Sequence, residues 1–423
     1  MPERDSLRLS VRALLVDAGC ADSTNLRWLK RLLRVLWCCL AIPAACASAQ
    51  APDPKPPQIS VAFLDPPSPF IQDRRPHLLY EMLITNYAGA PYVVESIDVQ
   101  AGATQFVFAG ASLGGLMRIL GAPSAPPESA AASRINQPGD AGIDAGRTAA
   151  VYMRLDFQTG AQIPQSLRHT LHIIAPDRSR HVLSAEPLGV NARAPILIGT
   201  PLRGSDWLAA GTSNNGPDAY HRRSIMLSNG RPWLAQRYAI DWMQYRMIGG
   251  AGKTWRGPEN QNRSYFCYGK PIYSVAPGRV VEATDGIPEN VPHSGKYVVD
   301  LSYDTAAGNH LVVDIGGGRY VLYAHMIPGS VGARVNDLVG SGQILGRVGN
   351  SGSSTEPHLH LHIADRASFI FGNGVPYVFE RFAASPPGEL IYGEHDRVMI
   401  KKSGPVREFR NDYPPSDATV TFR

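Results

Sequence analysis

Cysteine is scarce in this 423-residue chain, and it is badly placed for cross-linking. Cys20, Cys38, Cys39 and Cys46 all lie near the start, and Cys267 stands alone in the remainder. If the leading segment is removed, no intramolecular disulfide is available, so a disulfide-held scaffold is excluded. Cys267 reads as a small buried strand residue rather than a metal ligand. Net charge is also lacking. The formal balance is +5, from 41 Lys and Arg against 36 Asp and Glu. Residues 1–49 hold seven of the basic and four of the acidic residues, which leaves 34 (41 − 7) against 32 (36 − 4). That near-neutral remainder gives no electrostatic case for nucleic acid as a partner. The apolar run at 35–42 is too short for a comfortable transmembrane helix. No helical period of any length is visible across 195–370.

What is present is turn chemistry. Gly 41 and Pro 35, with 18% charged residues, predict an all-β protein of two or three domains. Arg27, Lys30, Arg31 and Arg34 precede the apolar run, and Ala47-Ser48-Ala49 follows it. This reads as a signal peptide cleaved after Ala49 or as a membrane anchor, with the protein exported to the periplasm or cell envelope. Residues 50–57 form a Pro-rich linker. Alternating stretches at 59–63, 78–85, 92–99, 148–157 and 168–174 predict a β-sandwich-like domain over 58–190, interrupted by an Ala/Pro/Ser/Gly-rich loop at 121–147. No feature of 58–190 suggests chemistry. A second domain spans 195–380, and 381–423 reads as a C-terminal β appendage without a function of its own.

The chemistry concentrates in Pro357-His358-Leu359-His360-Leu361-His362. On a strand, alternate side chains share a face, so the three histidines stand together with Leu359, Leu361 and Ile363 behind them. Neutral imidazoles on a stiff strand suit Zn²⁺. The same pattern also describes an amphipathic strand whose histidines meet water, and the strand alone does not separate the two.

Other segments do. Ala239-Ile240-Asp241, the run at 269–281, Gly308-Asn309-His310, Tyr323-Ala324-His325, the run at 342–352 and His358-Leu359-His360 occur in this order. Together they resemble the M23 zinc metallopeptidases of the lysostaphin or LytM type over roughly 200–370. The resemblance implies a two-sheet antiparallel β core with a groove for one Zn²⁺. It implies Asp241 and His360 as metal ligands, with His325 and His358 acting on the attacking water or the oxyanion. It also implies a peptide or peptidoglycan substrate.

One position departs from the pattern. Arg237 stands where the family's His-x-x-x-Asp motif has its first ligand, and a guanidinium cannot ligate Zn²⁺. His221 is the nearest replacement. A hairpin pairing 221–228 with 232–241 through a three-residue loop at 229–231 puts His221 on the face of Asp241 and within reach of a shared metal. A two-residue loop puts it on the opposite face. His310 and His362 are weaker candidates. Two functions follow: an exported zinc endopeptidase acting on cell-wall peptidoglycan, or a catalytically inactive domain of the same fold that binds cell wall or activates a separate hydrolase. Oligomeric state is left open.

Overall fold

Alternation of apolar and polar residues builds both halves of the molecule. The computed structural model describes residues 56–121, 141–212, 219–386, 390–392, 398–400 and 404–423. The leader at 1–49, most of the linker and most of the 121–147 loop lie outside the described residues. Among the described residues, no helix is long and apolar enough to cross a membrane.

Two antiparallel sheets form the N-terminal half. One orders Ile59–Phe63, Arg75–Asn86, Thr148–Asp156 and Met117–Ile119; the other orders Arg180–Ser184, Ser166–Ile174, Tyr92–Ala101 and Thr104–Ala109. Leu78, Tyr80, Met82 and Ile84 from one sheet meet Ile97, Val99, Leu171 and Ile173 from the other in one core. Strand Thr104–Ala109 and the short helix Gly110–Leu116 are additions to the sequence reading.

The second half is organised on an eleven-stranded sheet. Its central run is Gly204–Ala210, Ile240–Gln244, Leu359–Ala364, Tyr320–Met326, Asn309–Asp314 and Gly278–Thr284, all antiparallel. Ile240, Trp242, Leu359, Leu361, Ile363, Val321 and Tyr323 fill the core on one face. Each such apolar side chain contributes about 1.5–3 kcal/mol on burial. Residues from 381–423 join this sheet rather than standing apart. Thr419–Phe422 pairs with both Tyr377–Ser385 and Gly204–Ala210, and Arg407–Asp412 pairs with Tyr377–Ser385.

Two local expectations change. Residues 297–301 are irregular rather than a strand. The hairpin is shorter than expected, with Met226–Ser228 pairing Arg231–Trp233 and Ser228 opposite Arg231. Asn229 and Gly230 both have positive φ (50° and 74°), so the loop is the two-residue type that matches strand twist. The chain then makes a 3-10 turn at Ala235–Tyr238 instead of continuing as a strand. His221 therefore sits on a turn before the hairpin, and the cross-strand argument for it does not apply.

Candidate metal centre

Strand register places the central pair. Asp241 lies directly opposite His360, flanked on one side by Ala210 opposite Asp241 and on the other by Ala324 opposite His360. Ala210 lines the open space beside the carboxylate, and Ala324 packs with Ala307, Val312 and Leu322. His358, His360 and His362 share one face, as strand geometry requires, and all three are buried. His325 arrives by a different device. Tyr323 points into the core, so simple alternation would send His325 there too. Its φ of +67° and the register shift between Asn309 and Leu311 turn it to the site face, and Met326 takes the core position. A non-glycine residue in the left-handed region marks stored strain of the kind found at functional sites.

His221 reaches the same place from its turn. Its Nε2 is 3.3 Å from Asp241 Oδ2. His360 Nδ1 is 2.9 Å from Asp241 Oδ1, and His358 Nε2 is 3.4 Å from that same oxygen. The Tyr220 hydroxyl donates to Asp241 Oδ2 at 2.8 Å. These groups open onto a cavity of about 470 Å³, whose walls include Gln236, Met243, Ser353 and Phe369.

Backbone carbonyls fix the tautomers. A carbonyl can only accept, so the nitrogen that meets it carries the proton. His221 Nδ1 donates to Gly211 at 2.7 Å, His358 Nδ1 to Glu356 at 2.9 Å and His325 Nδ1 to Ser351 at 2.8 Å. In the neutral rings each Nε2 is then a bare lone pair. For His221 and His358, those lone pairs face a carboxylate oxygen. Each of these contacts is satisfied either by a proton on the imidazole or by a metal cation shared with the carboxylate.

Residues 264–371 match the model of Peptidase family M23. The matched segment is an M23-family domain. It contains His325, His358 and His360, while His221 and Asp241 lie ahead of it. Solved peptidase structures are similar to parts of the chain. One is the catalytic domain of the prophage-encoded M23 protein EnpA from Enterococcus faecalis, with 19% identity over 42% of this chain and 93% of that one, at a TM-score of 0.24. Another is the catalytic domain of the antimicrobial peptidase lysostaphin from Staphylococcus simulans, with 24% identity over 27% and 78% and a TM-score of 0.17. A zinc-containing peptidase from Vibrio cholerae shares 14% identity over 68% and 77%, with a TM-score of 0.19.

The donor set of the site fits zinc. His221, Asp241 and His360 each offer a ligand atom, and these atoms lie within 4.8 Å of one another. Two ligands about 2.0–2.1 Å from a tetrahedral zinc stand about 3.3 Å apart, close to the separations found here. His360 would hold a metal through Nδ1, and its Nε2 lies 2.9 Å from His362 Nδ1. Alternation alone assigned His362 no role; this contact would orient the His360 ring.

Burial and the mutual contacts of these groups set their ionisation. Burial would raise the Asp241 carboxyl, but His221 and His358 outweigh it and hold it well below the usual carboxylate range. Burial pushes His360 down to about 4 despite its contact with Asp241. Burial, with the neighbouring His358 and His360, also holds His325 well below an ordinary imidazole. His358 is shifted up, because Asp241 overcomes the effect of burial.

The remaining candidates go elsewhere. His310 pairs with Glu282 at 3.0 Å and takes no part in the cluster. Tyr323 accepts from the Val275 amide in the core, and Tyr238 is buried in that same core. Arg237 turns away from the metal centre and donates to Glu81 Oε2 through Nε at 2.9 Å and Nη2 at 2.7 Å, and to Asp65 at 3.2 Å. Tyr220 was missed in the sequence. Its only signal there is adjacency to His221.

Proposed function

We propose that the chain is an exported zinc-dependent endopeptidase that hydrolyses peptide bonds in bacterial cell-wall peptidoglycan. The convergence of ligand atoms from His221, Asp241 and His360 within 4.8 Å of one another carries this reading. Two imidazoles and a carboxylate are a donor set that suits zinc, and they leave an open side toward the cavity. Zinc held there supplies a Lewis acid and an activated water at neutral pH.

The protein's own groups divide the remaining work. His221, Asp241 and His360 would hold the metal. His325 and His358 line the cavity with their Nδ1 protons locked on backbone carbonyls, so the proton that moves during hydrolysis is exchanged at Nε2. The rigid Nδ1 bonds keep those rings oriented as the proton comes and goes. The cavity is walled by Met243 and Phe369 as well as polar groups, which suits an extended peptide. Substrate class comes from the family, and the leader at 1–49 supports an extracytoplasmic workplace.

The inactive-domain alternative rested on Arg237. Arg237 gives it no support, because its guanidinium is engaged by Glu81 and Asp65 and His221 stands in the ligand set. The test is metal analysis of the purified protein, followed by incubation with isolated peptidoglycan and mass spectrometry of released muropeptides. One zinc per chain and new amino termini are expected. Absence of bound zinc, or intact cross-links and stem peptides with the zinc-loaded protein, overturns the reading.

A further inference from the structure

Glu81 belongs to the N-terminal sandwich, on strand Arg75–Asn86, and has no exposed surface. Its strand neighbours Leu78, Tyr80, Met82 and Ile84 fill the sandwich core, whereas Leu79, on the face of Glu81, packs into the core of the peptidase sheet. Glu81 therefore points out of its own half and into the other. Both its oxygens are used there. Oε1 accepts from Arg222 Nη2 at 2.8 Å, and Oε2 accepts from Arg237 at 2.7 and 2.9 Å. Burial opposes ionisation, but the two guanidinium groups hold the carboxyl below its ordinary range.

Arg222 follows directly after the ligand His221. Its side chain is 1% exposed, and Nη2 also reaches the carbonyls of Tyr80 and Met153 at 3.4 and 3.3 Å. Arg223 donates to the Gly115 carbonyl at 2.5 Å, and its own carbonyl accepts from Arg118. So the turn at 221–223 faces two ways. His221 enters the metal centre, and the next two side chains are anchored on the sandwich. Unlike Asp241 and His360, His221 has no strand ladder to set its position.

From this juxtaposition we infer that Glu81 is a positioning residue for the metal ligand His221, acting through Arg222. A buried guanidinium persists only when paired. Without the Glu81 charge, Arg222 gains by moving toward water, and the adjacent backbone carries His221 away from Asp241. The metal centre is thus a joint product of both halves of the chain, with the sandwich supplying the counter-charge. This inference rests on the zinc reading above.

The experiment measures zinc affinity of the full chain by competition with a chromogenic chelator, with thermal unfolding recorded on the same samples. Glu81→Gln is expected to bind zinc more weakly by about tenfold or more, the size of effect typical when a ligand's supporting shell is removed. Asp65→Asn touches Arg237 but not Arg222 and should keep wild-type affinity. If Glu81→Gln does not fold, Arg222→Lys decides. It keeps the charge, but one ammonium cannot serve Glu81 and two carbonyls as the planar guanidinium does, and a similar loss is expected. Wild-type affinity in a folded Glu81→Gln, or failing that in Arg222→Lys, overturns the inference. A wild-type protein that binds no zinc overturns the function itself, a separate outcome.

Discussion

His221 Nε2 lies 3.3 Å from Asp241 Oδ2, although no strand pairing connects the two residues. The contact depends on His221 Nδ1 being tied to the Gly211 carbonyl, which turns the ring's second nitrogen toward the carboxylate. His221→Ala should therefore remove a ligand without disturbing the sheet. Zinc affinity is expected to fall by about a hundredfold or more, as for His360→Ala, with little change in the thermal midpoint of the metal-free protein. Equilibrium dialysis with metal quantification reads the first quantity and calorimetry the second.

Gly211 gives a finer test of the same contact. Its φ is +62°, and a Cβ there would meet the Tyr220 hydroxyl at 2.5 Å and His221 Nδ1 at 2.8 Å. Gly211→Ala should carry a backbone cost of about 1–2 kcal/mol and also weaken zinc by about tenfold or more. Gly160→Ala is the control. Gly160 has φ +78° with nothing within 4 Å of a Cβ, so the backbone cost remains and zinc affinity should not change.

His362 orients His360 without reaching the metal side. His362→Phe should lower zinc affinity by about 10–100-fold. His325→Ala should behave oppositely, keeping zinc and losing about 10²–10⁴-fold in kcat. Measuring both quantities on both variants separates ligand support from proton transfer.

Arg237→Met leaves Glu81 with only Arg222. Removing one member of a buried ionic group costs about 3–5 kcal/mol, and urea unfolding should show a loss of that order. Zinc stoichiometry should remain one per chain, because Arg237 is not in the ligand set.

Acid stability should report on the sandwich. Burial pushes His169 down to about 4 from an ordinary 6.5. Between these values the unfolded chain binds the extra proton, so stability falls as pH drops through the window, by about 3 kcal/mol in all. Below pH 4 the loss from this group is complete. Asp412 works in the other direction, since burial raises it to about 6 and its protonated form favours the folded state. Comparing His169→Gln with wild type by urea unfolding at pH 7 and 4.5 isolates the first effect. The variant should show the flatter dependence.

Alternation made most of the site legible from the residues alone. Leu359, Leu361 and Ile363 specify which face of their strand is core, and that fixes His358, His360 and His362 on the other face. His325 was found by its motif, yet the left-handed backbone that turns it into the site has no local signature. His221 was legible as a candidate residue, but its route into the site was not. The Asn229-Gly230 turn is the two-residue kind, and the ligand comes from a turn held by long-range contacts that a hairpin register cannot express. Arg237 was legible as a departure and not as an ion pair, because its partner Glu81 lies far away in the chain. A hint was present in residues 78–85: apolar residues on both faces of one strand signal burial on both sides, and a single Glu among them requires a cationic partner.

The position of Thr419–Phe422 in the large sheet also sets an order of events. This strand sits between Tyr377–Ser385 and Gly204–Ala210, and Gly204–Ala210 is the immediate neighbour of the strand that carries Asp241. The side of the sheet next to Asp241 stays open until a strand far downstream of it in sequence closes it. Assembly of the metal centre is then a late step tied to contacts distant in sequence, a topology that folds slowly.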